Sequence, residues 1–114
     1  MALTFAYREL GDVTIVDLKG RITLGEGSVQ MRDAIRGLVG NRKWSILLNL
    51  ADVDYIDSSG LGELVGACDA ARKQGAKMKL MRLTPRVQNL LKITRLDAAF
   101  DIYDDEASAF ASFK

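Results

Sequence analysis

One short segment carries most of the residues that could do chemistry, and it reads Asp57-Ser58-Ser59-Gly60-Leu61-Gly62. Its hydroxyls, carboxylate and glycines suit four roles: a loop that binds a nucleotide phosphate, a serine nucleophile, a helix cap, or a serine that another protein phosphorylates. Each role needs further residues at a particular spacing. Those requirements distinguish the four roles.

The glycine spacing argues against a nucleotide site. Gly60, Gly62 and Gly66 are spaced G-x-G-x-x-x-G, whereas the dinucleotide fingerprint is G-x-G-x-x-G. A Walker loop requires Gly-Lys-Ser/Thr, which the segment lacks. We therefore expect neither a nucleotide nor another cofactor at these glycines.

A serine nucleophile needs a base to accept its proton. The chain contains no histidine, which excludes a Ser-His-Asp triad and most zinc sites. The nearest acids, Asp54 and Asp57, are carboxylates, which are weak bases, and the segment contains no lysine. The residues therefore predict no catalytic centre and no metal site, and we expect a protein that is not an enzyme.

Two roles remain for the polar residues. Asp57 or Ser58 can cap the following helix, which stabilises it by about 1 kcal/mol. A serine at a helix start is also exposed, and a phosphate there adds about −1.5 to −2 charges beside unpaired amides. Gly62, Gly66 and Ala70 form a smooth strip, which either packs closely against a neighbouring element or receives a partner protein.

The elements that must hold this segment follow from the hydrophobic pattern. Alternating residues predict half-buried strands, and an apolar run predicts a strand buried on both faces. The predicted strands are 3–10, 13–20, 44–50, 77–83 and 100–104, of which 44–50 is the apolar run. The predicted helices end at Gly40, run from the serine segment to Gln74, begin at Thr84-Pro85 and span 107–113.

This order predicts an α/β domain over residues 1–114 with a mixed, mainly parallel sheet of about five strands and about four helices. The first two strands should form an antiparallel hairpin across Gly11-Asp12. Sites in such sheets lie at the carboxyl ends of the parallel strands. Three predicted loops meet there: 20–28, 51–59 and 82–85.

Composition excludes several classes of function. The 114 residues carry a net charge of +1 with interspersed charges, so we expect no nucleic-acid surface. No apolar run approaches the roughly 20 residues of a membrane helix, and the N-terminus lacks the apolar core of a signal peptide. Cys68 is the single cysteine, which excludes an internal disulfide. We expect a cytoplasmic protein that does not contact membranes.

The segment LLNLADVDYIDSSGLGELVGA, residues 47–67, resembles the signature of the STAS domain, which bacterial anti-sigma-factor antagonists share. The resemblance extends through the whole chain. It implies that the unphosphorylated protein binds an anti-sigma factor and so releases a sigma factor. The resemblance further implies that the anti-sigma factor is itself a serine kinase that phosphorylates Ser58 and ends the interaction, and that a PP2C-type phosphatase restores it.

The resemblance also implies a partner surface around Ser58. The residues it assigns to that surface are Asp57, Ser59, Gly60, Leu61 and Gly62, framed by Thr23, Gly25 and Glu26. Many antagonists carry aspartate where this chain has Thr23, which bears on the identity of the kinase. Three alternatives stay open: a STAS-type ligand or nucleotide binder, a stressosome-like signalling scaffold, and a scaffold that assembles with its own kind.

Overall fold

The computed structural model describes residues 3–114, which form strands, helices and one short 3₁₀ helix at Asp97–Ala99. The strands are β1 (Thr4–Leu10), β2 (Val13–Ile22), β3 (Ser45–Ile56), β4 (Lys77–Met81) and β5 (Asp101–Tyr103). The helices are α1 (Glu26–Gly40), α2 (Ser58–Lys73), α3 (Pro85–Ile93) and α4 (Glu106–Ala111).

The strands form one mixed sheet in the order β1-β2-β3-β4-β5. β1 and β2 pair antiparallel, and the remaining neighbours pair parallel. The predicted α/β fold, with its N-terminal hairpin and mainly parallel sheet, is confirmed. Since α1, α2 and α3 each connect parallel strands, their N-termini follow the carboxyl ends of those strands and lie at one edge of the sheet.

The central strand β3 is buried on both faces, as its apolar run predicts. Ile46, Leu47, Leu48 and Leu50 are each at most 1 % exposed. One face of β3 packs in the main core, to which α1, α2 and α3 contribute. The other face packs in a smaller cluster that includes Ala109 of α4.

Two predicted loops are shorter than expected. β3 continues to Ile56 rather than ending near residue 50, and β2 continues to Ile22. Pairing between the two strands persists through register irregularities and reaches Ile22 opposite Ile56. The cross-strand hydrogen bonds satisfy the backbone of this polar stretch, and Val53 and Ile56 are buried. The serine segment is therefore held by strand pairing and not by a long loop.

β1 is more exposed than a half-buried strand should be. Leu3 just before it is buried and Phe5 is half-buried, but Tyr7 is 52 % and Leu10 40 % exposed. β1 is an edge strand of the sheet, so its outer end lies beyond the helices that cover the central strands. The prediction of half-burial was wrong for that end.

A polar network joins α4 to the sheet. Arg8 donates to Asp17 through two nitrogens, at 2.6 and 3.0 Å, and to Glu106 of α4 at 2.8 Å. Asn49 Nδ2 donates to the same Asp17 carboxylate at 2.8 Å. The Arg8 guanidinium, reinforced by Asn49, holds the pKa of Asp17 below its ordinary value. This network secures α4 over the face of the sheet opposite α2.

Candidate functional site

Asp57 is the only residue between β3 and α2, and it caps the helix. Its backbone is extended, and its Oδ1 accepts a hydrogen bond from the Gly60 N–H at 2.6 Å. Its carbonyl accepts the N–H of Leu61 at 2.9 Å. The helix-cap prediction is confirmed for Asp57, and Ser58 is left as the first helical residue.

Ser58 and Ser59 are the first two residues of α2, and both are exposed. Neither hydroxyl makes a hydrogen bond with any part of the chain that the structure describes. The first amides of a helix have no partner within it, so they favour negative charge nearby. The arrangement offers two accessible hydroxyls beside an edge that tolerates an added anion.

Gly60 fixes α2 against the end of β2. A Cβ at Gly60 would overlap the Ile22 carbonyl, with only 2.8 Å to the carbonyl carbon. The N–H of Asp57 donates to the same Ile22 oxygen at 3.3 Å. Glycine is therefore required here by close approach of two backbones, and the β2–α1 loop is brought beside the serines.

The β2–α1 loop, residues 23–25, has a defined shape. Gly25 has φ of 110° and ψ of −130°, a conformation that side chains disfavour. Ser28 is buried; its N–H donates to the Thr23 carbonyl at 3.1 Å, and its Oγ donates to the Gly25 carbonyl at 3.0 Å. Leu24 is 65 % exposed between them. The loop therefore presents an exposed apolar side chain two residues after Ile22, whose carbonyl meets the serine segment at Gly60.

The predicted partner surface is divided by burial. Ser59, Gly62, Gly25 and Glu26 are exposed, and Asp57 and Thr23 are half-buried. Gly60 is buried, and Leu61 is 1 % exposed in the main core. The side chain of Leu61 therefore anchors the helix from inside and is not available to a partner, which corrects the role that the resemblance implied for it.

The small-residue strip on α2 leaves free space above its glycines, and Gly66 and Ala70 line a groove that α1 borders with Ile35 and Val39. A Cβ at Gly62 or Gly66 would meet nothing within 4 Å, and Ala70 is exposed. The interpretation that Gly62 and Gly66 allow close packing within the chain was wrong. The glycine of α2 at which an added Cβ would overlap another element is Gly60. A partner at this strip, including a second copy of the chain, stays a prediction.

The structure gives no sign of thiol chemistry, metal binding or a membrane-spanning helix in residues 3–114. Burial raises the pKa of the Cys68 thiol to about 12, so it is neutral and unreactive near pH 7. Among residues 3–114, no group of three or more acidic, cysteine or histidine side chains is placed to hold a metal ion. No helix in this range is long and apolar enough to cross a membrane.

An Asp57→Ala variant tests the cap. Loss of the acceptor leaves the Gly60 N–H unpaired, so the free energy of unfolding should fall by about 1 kcal/mol. Asp57→Asn keeps an acceptor oxygen and removes only the charge, and it should lose less than half as much. Urea denaturation of the three proteins measures both effects, and equal losses in the two variants would show that the hydrogen bond to Gly60 is unimportant.

The mixed five-stranded sheet, with an exposed serine pair at the start of the helix after its central strand, defines a small α/β domain with a mainly parallel sheet. The chain belongs to the STAS domain family, whose family model matches residues 4–109. It is 30 % identical over 105 residues to the anti-sigma F factor antagonist of Paenibacillus polymyxa, covering 90 % of this chain and 87 % of that one.

Two further proteins are similar to this chain, one in the sequence of about half its length and the other in its fold. The anti-sigma-B factor antagonist of Bacillus subtilis is 45 % identical over 53 residues, which is 46 % of this chain and 49 % of that protein. The phosphorylated form of the Bacillus cell fate determinant SpoIIAA has a TM-score of 0.72 at 17 % identity. That comparison covers 97 % of this chain and 100 % of SpoIIAA, and it shows a shared fold.

Proposed function

We propose that this chain is an anti-sigma factor antagonist controlled by phosphate on Ser58. Without phosphate it binds an anti-sigma factor that is also a serine kinase, and a sigma factor is released. It acts as a single binding domain in the cytoplasm and not as an enzyme. The observation that carries the proposal is the exposed Ser58 at the start of α2, beside the ordered β2–α1 loop.

The electrostatics of the helix start suit a reversible switch. The carboxylate of Asp57 is already hydrogen-bonded to Gly60, so a phosphate on Ser58 does not need to replace the cap. Phosphate brings about −1.5 to −2 charges and considerable bulk. The fold is therefore retained, while the surface that a partner contacts becomes strongly negative.

The exposed residues beside Ser58 supply the rest of the proposed contact. Leu24 offers an apolar anchor, and Gly62 leaves room for a partner to approach the first turn of α2. Apolar anchors surrounded by polar groups are typical of protein interfaces. A PP2C-type phosphatase would remove the phosphate and return the protein to its binding form. The similarity to antagonists of anti-sigma factors supports this class of partner.

Mass spectrometry tests the modification directly. The protein is incubated with ATP and the anti-sigma kinase from the same organism, and the modified residue is identified by fragmentation. We expect one phosphate on wild type, one on Ser59→Ala and none on Ser58→Ala, since Ser58 is the acceptor. Ser59→Ala is the matched control because both serines are exposed in the first turn. If Ser58→Ala takes up one phosphate and Ser59→Ala takes up none, the acceptor is Ser59 and the assignment to Ser58 is wrong.

A further inference from the structure

Two arginines stack on one tyrosine near the serine segment. Arg21 of β2 and Tyr55 of β3 are cross-strand neighbours, and the Arg21 Cζ lies 4.6 Å from the centroid of the Tyr55 ring. The Cζ of Arg86, from the first turn of α3, lies 5.5 Å from the same centroid. Both distances are within the range of cation–π contacts. We refer to Arg21, Tyr55 and Arg86 as the arginine–tyrosine stack.

The positive charge of the stack is not neutralised within residues 3–114. Arg21 and Arg86 are exposed, and neither forms an ion pair or a side-chain hydrogen bond there. Asp52 and Asp54 of the same strand as Tyr55 are exposed and form no ion pair with the stack in the described chain. Both guanidiniums lie within 5.5 Å of one ring centroid, so their like charges are close together, and a bound anion would offset that positive charge.

The stack is continuous with the proposed partner surface. Arg21 directly precedes Ile22, whose carbonyl packs against Gly60. Tyr55 is two residues before the cap Asp57, and Arg86 lies at the N-terminus of α3, on the edge where α2 also begins. A protein bound at Ser58 therefore reaches the stack without a separate interface.

We propose that the arginine–tyrosine stack receives an acidic segment of the protein that binds at Ser58. This inference rests on the proposed function. A planar guanidinium donates two parallel hydrogen bonds to a carboxylate, and the ring beneath holds the guanidinium in place. Charge complementarity at such a rim raises the association rate and makes the affinity depend on salt. A phosphate on Ser58 adds negative charge to the same edge and so opposes the incoming acidic segment.

The test compares two variants that each remove two positive charges. Arg21→Gln/Arg86→Gln disables the stack. Arg42→Gln/Arg95→Gln is the control, because both residues are exposed and follow the C-terminal ends of α1 and α3, far along those helices from the site. We expect the stack variant to bind the anti-sigma kinase about tenfold more weakly at low salt, with a flatter salt dependence. The control should stay within about twofold of wild type.

The outcomes separate this inference from the proposed function. If wild type does not bind the kinase at all, the proposed function fails. If wild type binds and the stack variant binds equally well with the same salt dependence, only the present inference is overturned. Thermal unfolding of both variants shows whether each is folded before the affinities are compared.

A second measurement does not need the kinase. Hexaglutamate peptide and inorganic phosphate are titrated separately while the arginine Nε–Hε signals are followed by NMR. We expect the peptide to shift the signals of Arg21 and Arg86 at low salt and to leave those of Arg42 and Arg95 unchanged. Shifts produced by inorganic phosphate and not by the peptide would assign the stack to a phosphate ligand and overturn the acidic-segment proposal.

Discussion

Ser58→Asp is expected to weaken binding to the anti-sigma kinase by about a hundredfold, whereas Ser58→Ala should bind as tightly as wild type. The aspartate places a permanent negative charge at the helix start, where the interface must close over it. The alanine removes only a hydroxyl that makes no hydrogen bond within residues 3–114. Calorimetry with purified kinase and no ATP measures both affinities.

The neighbouring serine provides the control for this result. Ser59→Asp adds the same charge one residue further along the exposed first turn of α2. Because charge repulsion at an interface depends on position, we expect a smaller loss for Ser59→Asp than for Ser58→Asp. If Ser58→Ala and Ser58→Asp bind with equal affinity, negative charge at Ser58 does not control docking and the proposed switch is wrong.

Gly60→Ala is expected to lower the free energy of unfolding by about 2–3 kcal/mol. The new methyl group would overlap the Ile22 carbonyl and lie 3.1 Å from the Asp57 Oδ1. Relief requires α2 to move away from β2, which breaks the cap at Gly60 and the hydrogen bond from Asp57 to Ile22. These losses exceed the gain of about 1 kcal/mol that alanine normally brings to a helix interior.

Gly66→Ala is the matched control, because it is the same substitution in the same helix. A Cβ at Gly66 meets nothing within 4 Å, so the variant should be about 1 kcal/mol more stable than wild type. Urea denaturation of the two variants gives the difference. Equal stability of Gly60→Ala and Gly66→Ala would show that the close contact between Gly60 and the Ile22 carbonyl does not limit the side chain at position 60.

Local signals in the sequence were sufficient for the order and ends of most elements. Asp57 and Thr84 each cap a helix through the side chain, as expected for short polar residues just before a helix. Asp105 also caps α4, where the sequence indicated only favourable negative charge. The apolar run at 44–50 predicted the central strand. These features depend on interactions within a few residues, which adjacent sequence specifies.

Strand length and edge exposure were less predictable. The polar residues 51–54 belong to β3 because β2 pairs with them, and residues 3–10 are mostly exposed because β1 is at the edge of the sheet. Propensity describes one segment at a time, whereas pairing and burial depend on the neighbour that the fold supplies. The same local pattern therefore predicted too short a β3 and too buried a β1.

The sequence by itself determined the α/β fold, a helix cap at Asp57 or Ser58, and two serines at the start of a helix. Only the tertiary structure decided that Gly60 meets Ile22, that Leu61 is buried, and that Arg21 and Arg86 share the ring of Tyr55. The reason is that each of these contacts, apart from the burial of Leu61, joins residues far apart in the chain. Such contacts exist only once β2, β3, α2 and α3 are brought to one edge of the sheet.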